Sequence, residues 1–232
     1  MFRKRTGSAR VAVTAVLAFS LTACGVATGL NGDAERISGI PLASEVSAIE
    51  DPRSFQGELQ LQLVDDPVEP VATDPAPELP AVVTDNQGTV VEVTDVSRIL
   101  PLDIYGTLSR IVYELGLGEN VIGRDLSSSF PEIADRPLVT QDGHQLSAEA
   151  ILALDPSVIL TDTSLGPWDV ILQLRDAGVP VVVVDSHRSP GNVGELTGAV
   201  GAALGVPDLG RELGERTRAR IDQAQESIAT IT

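Results

Sequence analysis

The sequence predicts an α/β fold built on a parallel sheet, and three observations carry that expectation. Short apolar runs alternate with amphipathic helical stretches from about Arg98 to Leu204, the pattern of strands joined by crossover helices. Val181, Val182, Val183 and Val184 form an unbroken apolar run ending at Asp185, as in a strand covered on both faces. The stretch from Arg136 to Asp162 reads as loop, short helix, tight turn and buried strand, the repeating unit of such a sheet. Open parallel sheets bind ligands beyond the carboxyl ends of their strands, so the loops after these runs are where a site is expected.

The chain opens on an export address. Arg3, Lys4, Arg5 and Arg10 precede the apolar run Val11 to Leu21, which is too short to span a bilayer comfortably and has the build of a signal-peptide core. The run ends in Leu21-Thr22-Ala23-Cys24-Gly25, which resembles a bacterial lipobox: small residues admit the peptidase and the thiol takes the lipid. Residues 1–24 are therefore expected to be a lipoprotein signal peptide. Cys24 would carry the lipid, leaving the protein exported and anchored to the outer face of the cell membrane. An ordinary secretory signal with a chance cysteine is the plainer alternative. Cys24 is the only cysteine, so no intrachain disulfide forms.

Residues 25–84 read as a disordered acidic tether. The segment DDPVEPVATDPAPELP lacks the apolar surface to offset chain entropy, and its like charges extend it. Within it, Gly57 to Val64 alternates enough to add as a strand to a partner. The net charge of −17 makes nucleic acid an unsuitable partner, and 3% aromatics argue against a wide stacking platform. Hydrophobic content of 43% is ample for a folded core.

The folded lobe is expected over about 85–206, entered by a hairpin in AVVTDNQGTVVEV around Asn86-Gln87-Gly88. Arg98 to Leu102 reads as the first core strand. Tyr105 to Leu115 then carries Leu108, Ile111, Val112 and Leu115 on one helical stripe, closed by Gly116 and Gly118. Asn120 to Arg124 reads as a second strand and Asp125 to Arg136 as a Ser-rich loop. Next comes a helix with Leu146, Ile151, Leu152 and Leu154 inward, stopped by Asp155-Pro156. Val158, Ile159 and Leu160 make the strand after it. Pro167 to Ala177 reads as a helix begun by its proline. The valine strand and a helix from Pro190 to Leu204 complete the lobe. From Pro207, residues 207–232 form a polar helix whose Leu209, Leu213, Ile221 and Ile228 are thinly spread, so it leads elsewhere or bridges lobes. His144, one of two histidines, lies in the loop before the central helix, where a switchable imidazole at the mouth of an α/β unit points to a ligand site.

Taken in order, RILPLD, LSRIVYELGLGENVIGRD, FPEIADRPLV, LSAEAILALDPSVIL and LRDAGVPVVVVD resemble the N-terminal lobe of helical-backbone binding proteins of ABC importers. Those proteins deliver haem, ferric siderophores or cobalamin to permeases. TQDGHQLSAEAIL together with GRDLSSSFP is most similar to the haem-binding lipoproteins of actinobacterial haem importers, over about Val90 to the end of the chain. The resemblance implies a parallel-sheet, Rossmann-like lobe followed by a bridging helix. It also implies capture of haem, the ligand carried and not a catalytic cofactor, and its delivery to an ABC permease. A ferric-siderophore or cobalamin binder of the same fold, or a haem-sequestering lipoprotein that does not transport, are the alternatives.

The resemblance also gives residues roles. His144 falls where haem-binding members place an axial iron ligand, and neutral imidazole suits haem iron; the plain alternative is a surface histidine. His187, after the valine strand, stands at the ligand edge, in a loop that could simply be solvated. Arg124 at a strand end could pair with a haem propionate or, structurally, with Asp125 or Glu132. Ser127, Ser128 and Ser129 could offer hydroxyls to the same carboxylates. Tyr105 could line the cleft or pack as a helix-cap neighbour. Glu149 matches the acidic position that docks on permease arginines, and a first-turn Glu also steadies a helix dipole.

The motifs of other chemistry are missing from the sequence. It has no Gly-Lys-Ser/Thr phosphate loop, no HExxH zinc pair and no GxSxG elbow, so an enzyme is not expected. The family carries a second α/β lobe after the long helix, and this sequence ends at Thr232. The second lobe is thus expected to be absent, haem to be held on one face with an affinity on the order of micromolar, and the uncovered apolar surface to drive self-association.

Overall fold

The computed structural model describes residues 67–229, together with Ser54 and Gln56. The signal peptide, Cys24 and the Gly57 to Val64 segment lie outside the described residues. Strands β3 (Ile99–Leu102), β6 (Val158–Thr161) and β7 (Val181–Val183) form a parallel sheet in the order β3-β6-β7. Ile99 pairs with Val158, and Ile159 with Val181. Because side chains alternate along a strand, each strand feeds two cores. Ile99, Val158, Leu160 and Val182 face α1 (Thr107–Glu114) and α4 (Val193–Ala203), while Leu100, Ile159, Val181 and Val183 face α2 (Ala148–Ala153) and α3 (Trp168–Asp176).

The expected hairpin is present as β1 (Ala81–Thr84) and β2 (Val90–Val93), with Ala81 opposite Val93. Asp85 shapes its turn, accepting from the N–H groups of Gln87 and Thr89. Its other oxygen takes Arg175 at 2.6 Å, and the Asn86 N–H donates to Val183 O, so the hairpin is fastened beside β7. The inward stripe of α1 is buried as predicted, with Leu108, Val112 and Leu115 fully covered.

Four features differ from the sequence reading. First, Asn120 to Arg124 is not a strand: a 3-10 turn covers Gly118–Asn120 and only isolated bridges follow, Ile99 to Val121 and Arg124 to Leu138. The Ile122 N–H reaches Ile99 O. The next rung of a parallel ladder would draw on the N–H of residue 101, and that residue is proline. Second, the central helix is shorter than read. Leu146 belongs to a strand, Ile151 is its fully buried residue, and Leu152 is 43% exposed. Arg98 donates to the carbonyls of Leu154 and Asp155 and so closes the end of that helix.

Third, the loop carrying His144 is a small antiparallel hairpin, β4 (Thr140–Gln141) and β5 (Gln145–Leu146), turned by Asp142 and Gly143 at positive φ. Fourth, the last part of the expected tether belongs to the lobe. Val68 and Val71 pack on the core, the Val71 N–H donates to Glu114 O, and the Glu78 N–H donates to Gly205 O. This strap, residues 67–80, fits because Gly116 has φ +84° and no side chain, where a Cβ would collide with Ala72 O. Acidic, proline-rich chain can thus be ordered when its backbone N–H groups find carbonyls and its few valines find a core.

The long helix α5 (Pro207–Ala229) begins where predicted. Its first half presses on α4 through glycines. A Cβ at Gly201 would stand 2.7 Å from the Gly210 Cα, and one at Gly214 would stand 2.6 Å from Thr197 Oγ1. Leu213 closes that contact, while the second half is mostly exposed, with Ile228 62% accessible. Arg216 reaches Glu114 and Arg220 reaches Glu69, so α5 is tied both to α1 and to the strap.

Candidate ligand-binding edge

Each parallel strand runs into an aspartate at its carboxyl end. Asp103 follows β3, Asp162 follows β6 and Asp185 lies two residues past β7, while Asp125 closes the extended stretch after Val121. Asp103, Asp125 and Asp162 are fully buried. Each organises its own loop by accepting backbone hydrogen bonds. Asp103 takes the N–H groups of Thr107 and Leu108 at the start of α1, a site also favoured by the helix dipole. Asp125 takes those of Ser127, Ser128 and Asp103. Asp162 takes the N–H and hydroxyl of Ser164, whose Oγ in turn accepts from the Ile104 N–H.

Arg188 serves two members of this group. The Arg188 guanidinium donates to Asp162 at 2.7 Å and to Asp103 at 3.3 Å, and its other arm donates to the carbonyls of Asp185 and His187. Its Cζ stands 5.3 Å from the centre of the Tyr105 ring. Burial raises the Asp103 pKa from the ordinary 3.8; the Leu108 N–H and the Arg188 charge oppose the rise, and Asp125 and Asp162 add to it.

Of the residues singled out from sequence, Tyr105 and His187 stand with this cluster. Tyr105 is 56% exposed, directly before Gly106 at φ +69°, where the chain passes close to Ser127 O. His187 is exposed, its N–H donating to Asp185 and its carbonyl accepting from Asn192. His144 is exposed near the tip of the β4–β5 hairpin. That hairpin hangs from the same edge: the Val139 N–H donates to Arg124 O, and the Leu146 N–H to Gly166 O in the loop after β6.

Two candidates are otherwise engaged. The Arg124 guanidinium is bound to the carbonyls of Arg136, Asp125 and Ser128, so it clamps the Ser-rich loop through its backbone and pairs with neither Asp125 nor Glu132 as a carboxylate. Ser128 is fully buried, and its hydroxyl is shared between Asp125 and Ser109. Ser127 is half-buried, with its N–H on Asp125. Glu149 is exposed in the first turn of α2, behind Ser147, whose hydroxyl accepts the Ala150 N–H. Sequence reasoning missed Asp103, Asp162 and Arg188. The available signal was the repeated aspartate at the ends of successive strands, at Leu102-Asp103, Thr161-Asp162 and Val184-Asp185.

A parallel α/β lobe with polar groups gathered at the carboxyl edge of its sheet has its ligand site expected at that edge. The chain belongs to the periplasmic binding protein family, whose signature matches residues 104–232. It is 27% identical over 126 residues to an uncharacterized ABC transporter substrate-binding lipoprotein, YvrC, of Bacillus subtilis (strain 168), covering 53% of this chain and 40% of that one. Its structure is similar to that of the heme binding protein HmuT (42% identity, TM-score 0.74, 78% of this chain and 59% of that chain). It is also similar to the periplasmic heme-binding protein RhuT from Roseiflexus sp. RS-1 in apo form (32% identity, TM-score 0.52, 57% and 50%). The chain thus spans between 40% and 59% of the length of these relatives.

Proposed function

We propose that this chain is a haem-capturing lobe of a substrate-binding lipoprotein that supplies an ABC permease. The observation that carries the reading is His144, exposed on a hairpin fastened to the carboxyl edge that also presents Tyr105. An imidazole with its ring in solvent offers a nitrogen lone pair to iron, and a porphyrin held there would lie across the ends of the strands. The likeness to HmuT and RhuT supports haem over other iron chelates. Ser127 and His187 stand beside the same edge as contacts to haem, and Arg124 holds the Ser127 loop in place. The lobe binds and releases haem without transforming it. Glu149, exposed at the start of α2, is the docking charge for the permease. Cys24 carries the lipid that keeps the protein at the outer face of the cell membrane.

Absorption titration with haemin tests the reading. Haemin should give a saturable Soret band, and His144→Ala should shift that band and weaken binding, while His187→Ala should leave the band in place and cost far less affinity. Absence of any saturable haemin spectrum, with tight binding of cobalamin or a ferric siderophore instead, would overturn it. Loss of the spectrum on His187→Ala alone would reverse the assignment of the iron ligand.

A further inference from the structure

We infer that Arg188 is the positioning residue of the ligand edge, holding the Tyr105 ring as a preset platform for a flat aromatic macrocycle. The inference rests on the haem reading above and names the part of the edge that would meet the porphyrin face. Its basis is the place of the guanidinium. The Arg188 side chain is 17% exposed, between two fully buried carboxylates and a ring that is more than half exposed. Its contacts join the ends of all three parallel strands: Asp103 after β3, Asp162 after β6, and the Asp185 and His187 carbonyls after β7. A planar fork can meet carboxylates on one side and carbonyls on another while its charge lies over a ring, here 5.3 Å from the centroid.

Tyr105 is fixed from its backbone as well. The Ile104 N–H before it is bound to Ser164, and Gly106 after it turns in a left-handed conformation against the Ser127 carbonyl. One face of the ring lies over Arg188. The ring is held from its backbone and by Arg188, and it is still more than half exposed. The other tyrosine, Tyr113, shows the contrast: it is buried, edge-on to Phe130, with its hydroxyl on Glu132 O. A ring already fixed in the free protein loses little freedom when a porphyrin covers it, and that saving appears as affinity.

The test compares haemin affinities of the parent, Arg188→Lys, Tyr105→Ala, Tyr105→Phe and the Arg188→Lys, Tyr105→Ala double variant. Arg188→Lys and Tyr105→Ala should each weaken haemin binding by about tenfold, and the double variant should be no weaker than Tyr105→Ala, because both remove one platform. Tyr105→Phe should bind nearly as the parent does. The Soret position should stay unchanged in all of them, since the iron ligand is untouched. A second readout uses the two tyrosines of the chain. In 3-fluorotyrosine-labelled protein, Arg188→Lys should move the Tyr105 resonance and leave that of Tyr113. Should Arg188→Lys disturb both resonances, Asp162→Asn, which loosens the guanidinium but leaves it in place, is read in the same way. Additive losses in the double variant, unchanged affinity in Tyr105→Ala, or an unmoved Tyr105 resonance would each overturn the inference. A parent protein that fails to bind haemin would sink the haem reading itself, and so is distinguishable from all three.

Discussion

Asp103 is a carboxylate with two others nearby, one of which, Asp162, shares the Arg188 guanidinium with it, and its raised pKa makes its contribution depend on pH. The sign follows from linkage. With the folded value above 3.8, the proton is held more tightly by the folded chain, so the stabilising share is full below pH 3.8 and is lost as pH rises through the folded value. Asp103→Asn has no such proton to lose. Denaturant unfolding from about pH 3 to about pH 7 should therefore show the Asn variant gaining relative to the parent as pH rises through that window; a constant difference would refute it. Glu149 offers a second residue-scale prediction: Glu149→Arg should lower permease-dependent haem uptake and leave haemin affinity unchanged. Equal uptake by variant and parent would remove the docking role. The residues proposed from sequence, His144, Tyr105, His187, Arg124, Ser127, Ser128, Glu149 and Cys24, were chosen for side-chain chemistry or for their place in a motif. Arg188 escaped notice because an arginine three residues past an aspartate carries no signal until three strand ends are brought together.

At the scale of elements, what could be read was what burial dictates. The valine run of β7, the fully buried β6 and the start of α5 at Pro207 were legible because apolar continuity and proline position are local. The β4–β5 hairpin was not, since strands of two residues show no alternation and only Asp142-Gly143 marks the turn. Nor was the loss of the strand after Asn120, which depends on a proline in its neighbour. The strap makes the same point, because its composition says tether while its order comes from Glu114, Gly205 and Gly116, all distant in sequence. Gly116→Ala should therefore cost at least about 2 kcal/mol, combining a left-handed backbone with the collision at Ala72. Chemical denaturation should show it, and proteolysis near residues 67–80 should accelerate. An unchanged midpoint would mean that the strap contributes nothing to the fold.

For the molecule as a whole, ligand and fold share one equilibrium. Haemin that binds the folded lobe alone should raise its stability by about 2.7 kcal/mol at a hundredfold excess over Kd, or about 5–10 °C in Tm for a domain of this size. His144→Ala should reduce that rise at the same haemin concentration, and an identical rise in parent and variant would remove His144 from the binding reaction. The two cores on either side of the sheet give the lobe the solidity this requires, since every parallel strand is covered on both faces.

The strap also determines how the lobe meets mechanical load. Helices in such a sheet run back toward the amino ends of the strands, so Gly116 after α1 and Gly205 after α4 mark the edge opposite Tyr105 and His144. A pull entering from the chain before residue 67 is met there, by the Val71 and Glu78 backbone bonds and by Glu69 on Arg220. Tension is spread into α1, α4 and α5 before it can reach β1, and the edge that would hold haem is mechanically shielded from a pull on the chain before residue 67.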